Sequence, residues 1–506
     1  MQTSLPKIET SEYPAALPAI ASLFEALNES GVRYCHWKSN LRLDKSLQGQ
    51  TDLDLLVDRS HQELFNRILE EHDIKLFCPA PGREYPDIEN FLGFDLASGR
   101  LFHLHVHYRL VLGEQFVKNY HLPLETPFLS STRLMLGVRV PIPELEIAVL
   151  SLRALLKYRD RDVIKDILSI RSPGLPAHIL KEIHWLLGQT TMERIALTLG
   201  GLSGVIPAET VISFLKTIAA NPRSGITLYR LRRQAREALG VFQRQSRPEA
   251  MLRYFRETWR RSTRRQVDPK RMRLPEGGLR VAFVGADGAG KSTLIKQVVR
   301  WLGWRVSVRT IYMGSSQPSW KTSILKSIAR LARSVHAGFR RLLGENSLPV
   351  KAVEAIKLAL ESVRFLADGN DRRQRYLEGC RAASRGILVL YDRYPLNSVR
   401  VFNHPMDGPR IAANANGHSG SWVRKMAQVE AGIYRQIEPP DHVFVLHVSP
   451  GISQERKPEH RRDWIEAKSQ ALSQVGAGNV AHTEIDADQP LDQVLLQVKS
   501  ALWRLL

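Results

Sequence analysis

Hydrophobic and polar residues follow two different patterns in the first 240 or so residues. Short runs that are continuously apolar or that alternate predict β-strands at residues 53–57 and 100–108. From residue 143 to about 240, apolar residues recur every three or four positions, most clearly at 144–157 and 178–187. That spacing is typical of amphipathic helices. The pattern therefore predicts an α+β domain with a helical extension.

A different alternation begins at residue 279. A short apolar strand at 281–284 is followed by a glycine-rich turn and a helix at 292–301. Further strands are predicted at 387–391, 442–448 and 480–485, and a last helix at 491–505. Short buried strands that alternate with helices are typical of an α/β fold with a doubly wound parallel sheet.

The length of 506 residues exceeds that of one ordinary domain. We predict four segments: a sheet domain at 15–142, its helical extension at 143–242, a basic linker at 243–278 and an α/β domain at 279–506. No stretch approaches the ~20 apolar residues of a membrane span. The chain starts without the basic and apolar regions of a signal peptide, and the three cysteines have no metal or disulfide spacing, so we expect a cytoplasmic protein.

Positive charge is concentrated in two places. The formal net charge is +21, of which residues 244–273 carry +8 and residues 321–341 carry +6. An anionic partner would therefore be expected to meet the protein at these two segments.

The turn after the strand at 281–284 fits the phosphate-binding pattern G-x-x-x-x-G-K-[ST]. Glycines there allow backbone N–H groups to surround phosphate oxygens at a helix N-terminus. We expect Lys291 to reach the β- and γ-phosphates of ATP and the hydroxyl of Ser292 to hold Mg²⁺. The predicted nucleotide-binding residues are Gly285, Asp287, Gly288, Ala289, Gly290, Lys291, Ser292 and Thr293. We also expect Lys291 to lie in a solvent-facing loop.

A second chemical feature follows the strand at 387–391. Asp392, Arg393 and Tyr394 come at the end of that strand, where open α/β sheets bind ligands. A carboxylate there can hold Mg²⁺ or accept a proton, and an arginine can clamp an anionic acceptor. Asp392 is therefore predicted to be a metal ligand and a catalytic residue, together with Arg393.

The G-A-D-G-A-G-K-S-T run and the D-R-Y run resemble the thymidylate kinase family of nucleoside monophosphate kinases. The resemblance implies that Asp287 faces the acceptor, that Arg393 contacts the acceptor phosphate, and that a basic lid follows the strand at 442–448. Arg456 is the leading lid residue for stabilising the transferring phosphoryl group, with Lys457 next. Arg372 and Arg373 are further candidates for anion binding, or else surface charges.

Departures from that family leave the acceptor open. The residue before the first loop glycine is Val284, where the family carries an acid, and the aromatic and glutamine pattern that recognises thymine is not evident. The D-R-Y-P version also resembles kinase-like proteins found with bacterial surface-polysaccharide genes. The small-molecule acceptor is therefore expected to be a nucleoside monophosphate, or a sugar or lipid-linked group.

The first domain contains a second possible nucleotide site. Lys38 and Ser39 precede a strand on which Asp52 and Asp54 point to one face, a geometry that suits two Mg²⁺ ions. The pattern resembles the minimal nucleotidyltransferase superfamily. That family has a third carboxylate where this chain has His105, so the site either uses altered metal chemistry or binds without catalysing.

His103, His105 and His107 alternate along one predicted strand. A strand places the outer two about 13 Å apart, so all three cannot bind one zinc ion.

The basic segment 321–342 has an apolar stripe with helical spacing. The leading interpretation is a helix that packs its apolar stripe on the α/β core and turns its cations to water. An anionic membrane surface is an alternative, and nucleic acid is a less favoured one. For residues 244–273 a basic linker helix is the leading interpretation. The sequence does not indicate an oligomeric state.

Two functions from different classes follow. One is a two-module enzyme with an ATP-dependent kinase at its C-terminal side. The other is a binding protein, in which ATP acts as a switch and a degenerate nucleotidyltransferase-like domain docks on a membrane or nucleic acid.

Overall fold

The computed structural model describes most of the chain. The described residues are 16–85, 87–113, 117–158, 175–220, 225–263, 271–344, 347–401, 404–414, 421–456, 458, 462–472 and 480–506. The chain forms two compact units, unit 1 at residues 1–270 and unit 2 at residues 271–506.

The described strands of unit 1 form one larger sheet and two hairpins. They are β1 (Tyr34–His36), β2 (Leu53–Val57), β3 (Lys75–Phe77), β4 (Ile88–Asp95), β5 (Arg100–His107), β6 (Leu110–Leu112), β7 (Tyr120–Leu122), β8 (Thr132–Met135) and β9 (Val138–Pro141). The larger sheet has the order β1-β2-β5-β4-β3, and β6 pairs with β7 and β8 with β9.

The described helices of unit 1 continue to its end. They are α1 (Pro18–Glu29), α2 (Leu43–Leu47), α3 (Gln62–Glu71), α4 (Glu125–Ser130), α5 (Pro143–Lys157), α6 (Ala177–Leu187), α7 (Met192–Gly200), α8 (Ala208–Ala220), α9 (Gly225–Ala238) and α10 (Arg247–Thr263). Short 3-10 turns are found at Asn40–Arg42, Arg59–His61 and Gly240–Phe242.

Strand β2 is covered on both faces, and this packing determines which face Asp54 shares. Leu53, Leu55 and Val57 belong to a core with α1 and α3. Leu56 belongs to a second core built around α5, whose side chains are buried along almost its whole length. Asp54 lies between these apolar positions, on the same face as Leu56. The parallel pairing of β2 with β5 puts Asp54 level with His105.

The described elements of unit 2 alternate between strands and helices. The strands are β10 (Arg280–Gly285), β11 (Val308–Tyr312), β12 (Leu388–Asp392), β13 (Leu396–Val401), β14 (His404–Met406), β15 (His442–His447) and β16 (His482–Asp486). The helices are α11 (Lys291–Leu302), α12 (Trp320–Leu343), α13 (Leu348–Ala383), α14 (Ile411–Asn414), α15 (Ser421–Arg435), α16 (Pro450–Arg456), α17 (Arg462–Leu472) and α18 (Leu491–Leu505).

The main sheet of unit 2 has the order β11-β12-β10-β15-β16, and every pairing in it is parallel. The chain first moves from β10 to one side of the sheet and later to the other. Since parallel crossovers are right-handed, this reversal places helices on both faces of the sheet. The predicted α/β fold with a parallel sheet is confirmed. The nucleotidyltransferase-like character of unit 1 stays a prediction, as do the four segment boundaries.

The crossover from β11 to β12 contains the helical hairpin of α12 and α13. Gly379 of α13 lies against Tyr391, and any side chain there would collide with the tyrosine ring. The glycine therefore lets α13 approach β12 closely. The described helices include none that is both long and apolar enough to cross a membrane.

The structure contradicts one expectation for α12. Its apolar stripe does not pack on the core of unit 2, because Ile324, Leu331 and Phe339 are all exposed. The buried residues of α12 are Thr322 and Ala329. The spacing of the apolar residues predicted the helix correctly, but it did not predict which side of the helix packs on the protein.

Candidate functional site

The loop between β10 and α11 has the conformation that its glycines were expected to provide. Gly288 and Gly290 have φ of +89° and +82°, in the left-handed region. A Cβ atom on Gly288 would lie 2.9 Å from the carbonyl oxygen of Ser453, and one on Gly285 would lie 2.9 Å from that of Leu446. The loop is therefore closely enclosed by the segment that begins with β15 and continues into α16.

Lys291 is the first residue of α11, and it is buried instead of facing solvent as expected. Its side chain is 7% exposed. The ammonium group donates hydrogen bonds to the carbonyl oxygens of Gly285 and Ala286, at 2.9 and 2.8 Å. Burial, with a further contribution from the charge of Arg393, lowers the pKa of Lys291 to about 8. A nearby anion would therefore stabilise the charged form of Lys291 in the folded loop.

Ser292 and Asp392 meet at the carboxyl ends of β10 and β12. Parallel pairing places Asp392 level with Phe283, and the hydroxyl of Ser292 donates to Oδ2 of Asp392 at 2.8 Å. The other carboxylate oxygen, Oδ1, is buried and has no hydrogen-bond partner in the described part of the chain. A hydroxyl beside a carboxylate with an unused buried oxygen is a donor set that fits Mg²⁺.

Asp287 lies in the loop and is bound by two basic side chains. Its carboxylate accepts from Nη2 of Arg393 at 3.0 Å and from Nζ of Lys468 at 2.7 Å. Burial alone would raise the pKa of Asp287, but the nearby cations, led by Lys468, outweigh it and lower the pKa to about 2. Asp287 is therefore an anion at neutral pH. Arg393 has φ of +63°, an uncommon conformation for a residue other than glycine.

Lys468 was not among the predicted residues. It lies on α17, 181 residues from Asp287 along the chain. One weak signal in the sequence is that Lys468 follows the basic stretch predicted to form a lid. The predicted lid residue Arg456 donates to the carbonyl oxygens of Gly288 and Ala487, at 3.4 and 3.3 Å. It thus lies beside the loop, whereas Lys457 falls outside the described residues.

The two arginines proposed as anion ligands have other partners. Arg372 is 3% exposed, so it is not a surface charge. It donates to the carbonyl oxygen of Met313 at 2.8 Å and to the hydroxyl of Tyr434. Arg373 donates to the side-chain oxygen of Gln436. Arg372 therefore supports the end of β11.

In unit 1 the second predicted site contains Lys38 and Asp54 in direct contact. The ammonium group of Lys38 lies 2.6 Å from Oδ1 of Asp54, and Nδ1 of His105 lies 2.9 Å from the same oxygen. Asp52 forms a separate pair with His103, at 3.0 Å. The two acids thus have separate basic neighbours, Lys38 and His105 at Asp54 and His103 at Asp52.

Two acids that the sequence did not single out hold the turn at Lys38 and Ser39. Glu182 of α6 accepts from the backbone N–H of Ser39 at 3.1 Å, and Glu146 of α5 accepts from the backbone N–H of Asn40 at 3.2 Å. Burial raises the pKa of Glu146 to about 7. These backbone donors are therefore engaged by the protein and do not point at a phosphate.

Asp54, His105 and His107 could together hold a metal ion, because one ligand atom from each lies within 4.8 Å of the others. Burial, together with the charge of Lys38, lowers the pKa of His105 to about 4, so its ring is neutral at pH 7. Lys38, however, already supplies a cation at Asp54. Burial and the same Lys38 also lower the pKa of Lys118 to about 7, which shows that positive charge is crowded here. This crowding disfavours a divalent cation.

No protein-family model matches the chain. The chain is similar to the uncharacterised ATP-binding protein YghS of Escherichia coli (strain K12), with 26% identity over 222 residues, which is 42% of this chain and 88% of that protein. It is also similar to the uncharacterised ATP-binding protein YghR of the same strain, with 27% identity over 227 residues, which is 44% of this chain and 86% of that protein.

A solved structure of deoxyadenosine kinase from M. mycoides with bound dATP covers 44% of this chain and 99% of that chain. The sequence identity is 12% and the TM-score is 0.28, too low to support any inference. In each of these comparisons the likeness extends over less than half of this chain.

The balance of charge at Asp54 leads to a testable expectation. In Lys38→Met, Asp54 loses its resident cation, and we expect the full-length protein to gain about one equivalent of Zn²⁺ or Mn²⁺, the metals suited to mixed imidazole and carboxylate ligands. Equilibrium dialysis with elemental analysis measures the gain. Lys45→Met, at an exposed lysine nearby, should match the wild type. The expectation fails if the wild type already binds a divalent ion that Asp54→Ala removes.

Proposed function

We propose that unit 2 is an ATP- and Mg²⁺-dependent phosphotransferase that transfers the γ-phosphoryl group to a small anionic acceptor. The observation that carries the proposal is the hydrogen bond from the hydroxyl of Ser292 to Oδ2 of Asp392, at 2.8 Å. It lies beside the glycine-rich loop and the buried Lys291. A phosphate loop, a cation and a metal-ligating pair are the parts that phosphoryl transfer from ATP requires. The names of the two Escherichia coli relatives, both ATP-binding proteins, support the choice of nucleotide.

Binding of the nucleotide phosphates would begin at the loop and the start of α11. Backbone N–H groups there, with the positive end of the helix dipole, attract the phosphate oxygens. Lys291 would turn its ammonium group from the carbonyl oxygens of Gly285 and Ala286 to the β- and γ-phosphates. Ser292 and the unpaired oxygen of Asp392 would hold Mg²⁺, which supplies positive charge to the phosphoryl oxygens when bound.

Asp287 and Arg393 would act on the acceptor side. A carboxylate with a pKa of about 2 is a weak base at neutral pH. Asp287 is therefore suited to hold Arg393 beside an acceptor phosphate, or to accept a hydrogen bond from an acceptor hydroxyl, and not to act as a general base. Arg393 already contacts Asp287, so it is placed to bind an anionic group of an acceptor at the same point.

Lys468 and Arg456 would supply the remaining positive charge. Both follow β15, and both reach the loop, Lys468 through Asp287 and Arg456 through the carbonyl oxygen of Gly288. Basic side chains near the transferring phosphoryl group stabilise the charge on its equatorial oxygens. This segment is therefore proposed as the lid, with Lys468 added to the residue expected from the sequence.

The proposal also concerns the chemical class of the phosphoryl acceptor. The D-R-Y run and the loop acid are features of thymidylate kinase-like enzymes, and they favour a nucleoside monophosphate. A sugar or lipid-linked group, as in polysaccharide assembly, is the other candidate. Both would present an anion or a hydroxyl to Arg393 and Asp287.

For unit 1 we infer a nucleotidyltransferase-like domain that does not catalyse transfer. Two-metal chemistry requires carboxylates open to metal ions. Here Lys38 and His105 already contact the carboxylate of Asp54, and His103 contacts that of Asp52. The same observation favours the alternative function, in which ATP binding is a switch in a docking protein. The alternative predicts ATP binding without turnover on any small acceptor.

The first test is an acceptor screen with the full-length protein. ATP consumption is measured with nucleoside monophosphates, sugars, sugar phosphates and polyprenyl or lipid acceptors. We expect one class to stimulate turnover and Lys291→Ala to abolish it, since removal of the ammonium leaves the β- and γ-phosphates without their main cation. Lys296→Ala, at an exposed lysine on α11, is the matched control. Full turnover in a folded Lys291→Ala protein contradicts the proposal.

Asp392→Asn tests the metal-ligating role. The amide keeps the shape but removes the negative charge, so we expect kcat to fall by roughly 100-fold or more while ATP affinity changes only a few-fold. Isothermal titration beside steady-state kinetics separates the two effects. Asp492→Asn, at an exposed acid in the first turn of α18, should change neither. Equal losses in affinity and turnover would refute the assigned role.

The pKa of Lys291 gives a test by proton uptake. With a pKa of about 8, roughly half of these lysines are neutral at that pH. Phosphate binding favours the charged form, so ATP should bind with uptake of roughly half a proton. Titration calorimetry in buffers of different ionisation enthalpy measures this number, and Lys291→Arg, which stays charged, should reduce it to near zero.

The lowered pKa of Lys291 also determines the direction in which this group changes the free energy of unfolding with pH. The pKa of Lys291 lies below its ordinary value of 10.5, so between about 8 and 10.5 the unfolded chain binds more protons than the folded one. The contribution of this group to stability therefore rises with pH across that window and falls as the pH drops through it. A contribution of the opposite sign, from unfolding curves of the wild type and Lys291→Met, contradicts the assigned environment.

A further inference from the structure

Helix α12 turns its apolar side outward. Large apolar side chains form one continuous stripe along the helix, with exposed fractions between 39% and 83%. The stripe consists of Trp320, Ile324, Ile328, Leu331, Val335, Phe339 and Leu342. Helices on a protein surface ordinarily bury such a stripe, and an exposed apolar patch of this extent marks an interaction surface.

The opposite side of α12 is the one that packs on α13. Lys326 lies 2.9 Å from Asp368, and Arg333 lies 3.6 Å from Glu361. Thr322, which is buried, lies on the same side of the helix. The helix is therefore held through its polar side, and the apolar stripe is left for a partner outside unit 2.

Cations border the stripe. Residues 320–343 contain six Lys or Arg and no Asp or Glu. At 3.6 residues per turn, Arg330 and Arg341 lie along one border of the stripe and Lys321 along the other. All three are exposed. Long basic side chains in such positions can extend their charged ends to anionic groups while their stems stay on apolar surface.

These features select one occupant. A second copy of the chain would bring two helices of charge +6 together, and like charges oppose that contact. A nucleic acid would engage the cations but leave seven large apolar side chains against a polyanion. An anionic lipid surface accepts both, because acyl chains take the apolar side chains and headgroup phosphates take the cations.

We propose that α12 docks unit 2 on an anionic membrane surface, with its apolar stripe in the interface and its border cations among the lipid headgroups. This inference stands independently of phosphoryl transfer, since it rests on the exposure and charge of α12 alone. The protein binds the membrane peripherally, because the helix lies along the surface.

The experiment is flotation of the full-length protein with vesicles. Vesicles of phosphatidylcholine with phosphatidylglycerol should carry the protein, vesicles of phosphatidylcholine alone should carry far less, and salt should weaken the binding. Arg330→Gln with Arg341→Gln should reduce partitioning into anionic vesicles on the order of 10-fold or more. Leu331→Ser with Phe339→Ser should reduce it on both kinds of vesicle.

A matched control separates the stripe from exposed leucines in general. Leu197→Ser changes a leucine that is 81% exposed on α7 of unit 1, and it should bind vesicles like the wild type. Circular dichroism and thermal unfolding verify that each variant is folded.

Three results would overturn the proposal. One is the absence of binding to anionic vesicles. Another is a wild-type dimer in sedimentation velocity that Leu331→Ser with Phe339→Ser converts to a monomer, which would assign the stripe to a second copy. The last is tight binding of duplex DNA that competes with vesicles and does not depend on Leu331 or Phe339.

Discussion

The parallel pairing of β10 with β12 is the constraint on which the chemistry proposed for unit 2 depends. Both strands end at the same edge of the sheet, so the loop after one and the carboxylate at the end of the other must meet. The pairing leaves Asp392 level with Phe283, within reach of the first turn of α11. A shift of the pairing by one residue would turn Asp392 to the other face of the sheet, away from Ser292. Register thus decides whether these two side chains can form a metal-ligating pair.

Each unit contains a partly buried carboxylate bound by basic side chains, but the surroundings differ. Around Asp287 the loop provides glycines, a helix N-terminus and a lysine without an acidic partner in the described contacts, so the site retains an excess of positive potential for phosphates. Around Asp54 the backbone N–H groups at Ser39 and Asn40 already donate to Glu182 and Glu146. A similar carboxylate therefore borders the proposed phosphate site in unit 2 and belongs to a closed polar network in unit 1. Local hydrogen bonding, and not the acid itself, makes the difference.

The sequence predicted the parts of the site that are close together along the chain. The strand, loop and helix around Lys291 follow one another directly, so one motif contains their geometry, and Asp392 could be placed because strand ends share an edge. The burial of Lys291 was missed, because a motif does not report how closely later segments cover it. Lys468 was missed because its contact with Asp287 spans 181 residues and depends on the packing of α17. In unit 1 the alternation of Asp52 and Asp54 predicted their common face, but not the basic side chain that contacts each.

The apolar stripe of α12 shows most clearly what periodicity can and cannot determine. A spacing of three and four residues identifies a helix with two sides, and that prediction was confirmed, whereas the side that packs is decided by the partner helix. Here α13 presents Asp368 and Glu361, so the basic side of α12 faces inward. The other side is left exposed, and the exposure of seven large apolar side chains to water is unfavourable. The hairpin is also tied to the sheet, because Arg375 of α13 donates to the carbonyl oxygens of Tyr312 and Gly314, at the end of β11. That is the same edge of the sheet from which the proposed phosphate-binding loop emerges, so the proposed docking of α12 would fix the position of the loop relative to the membrane.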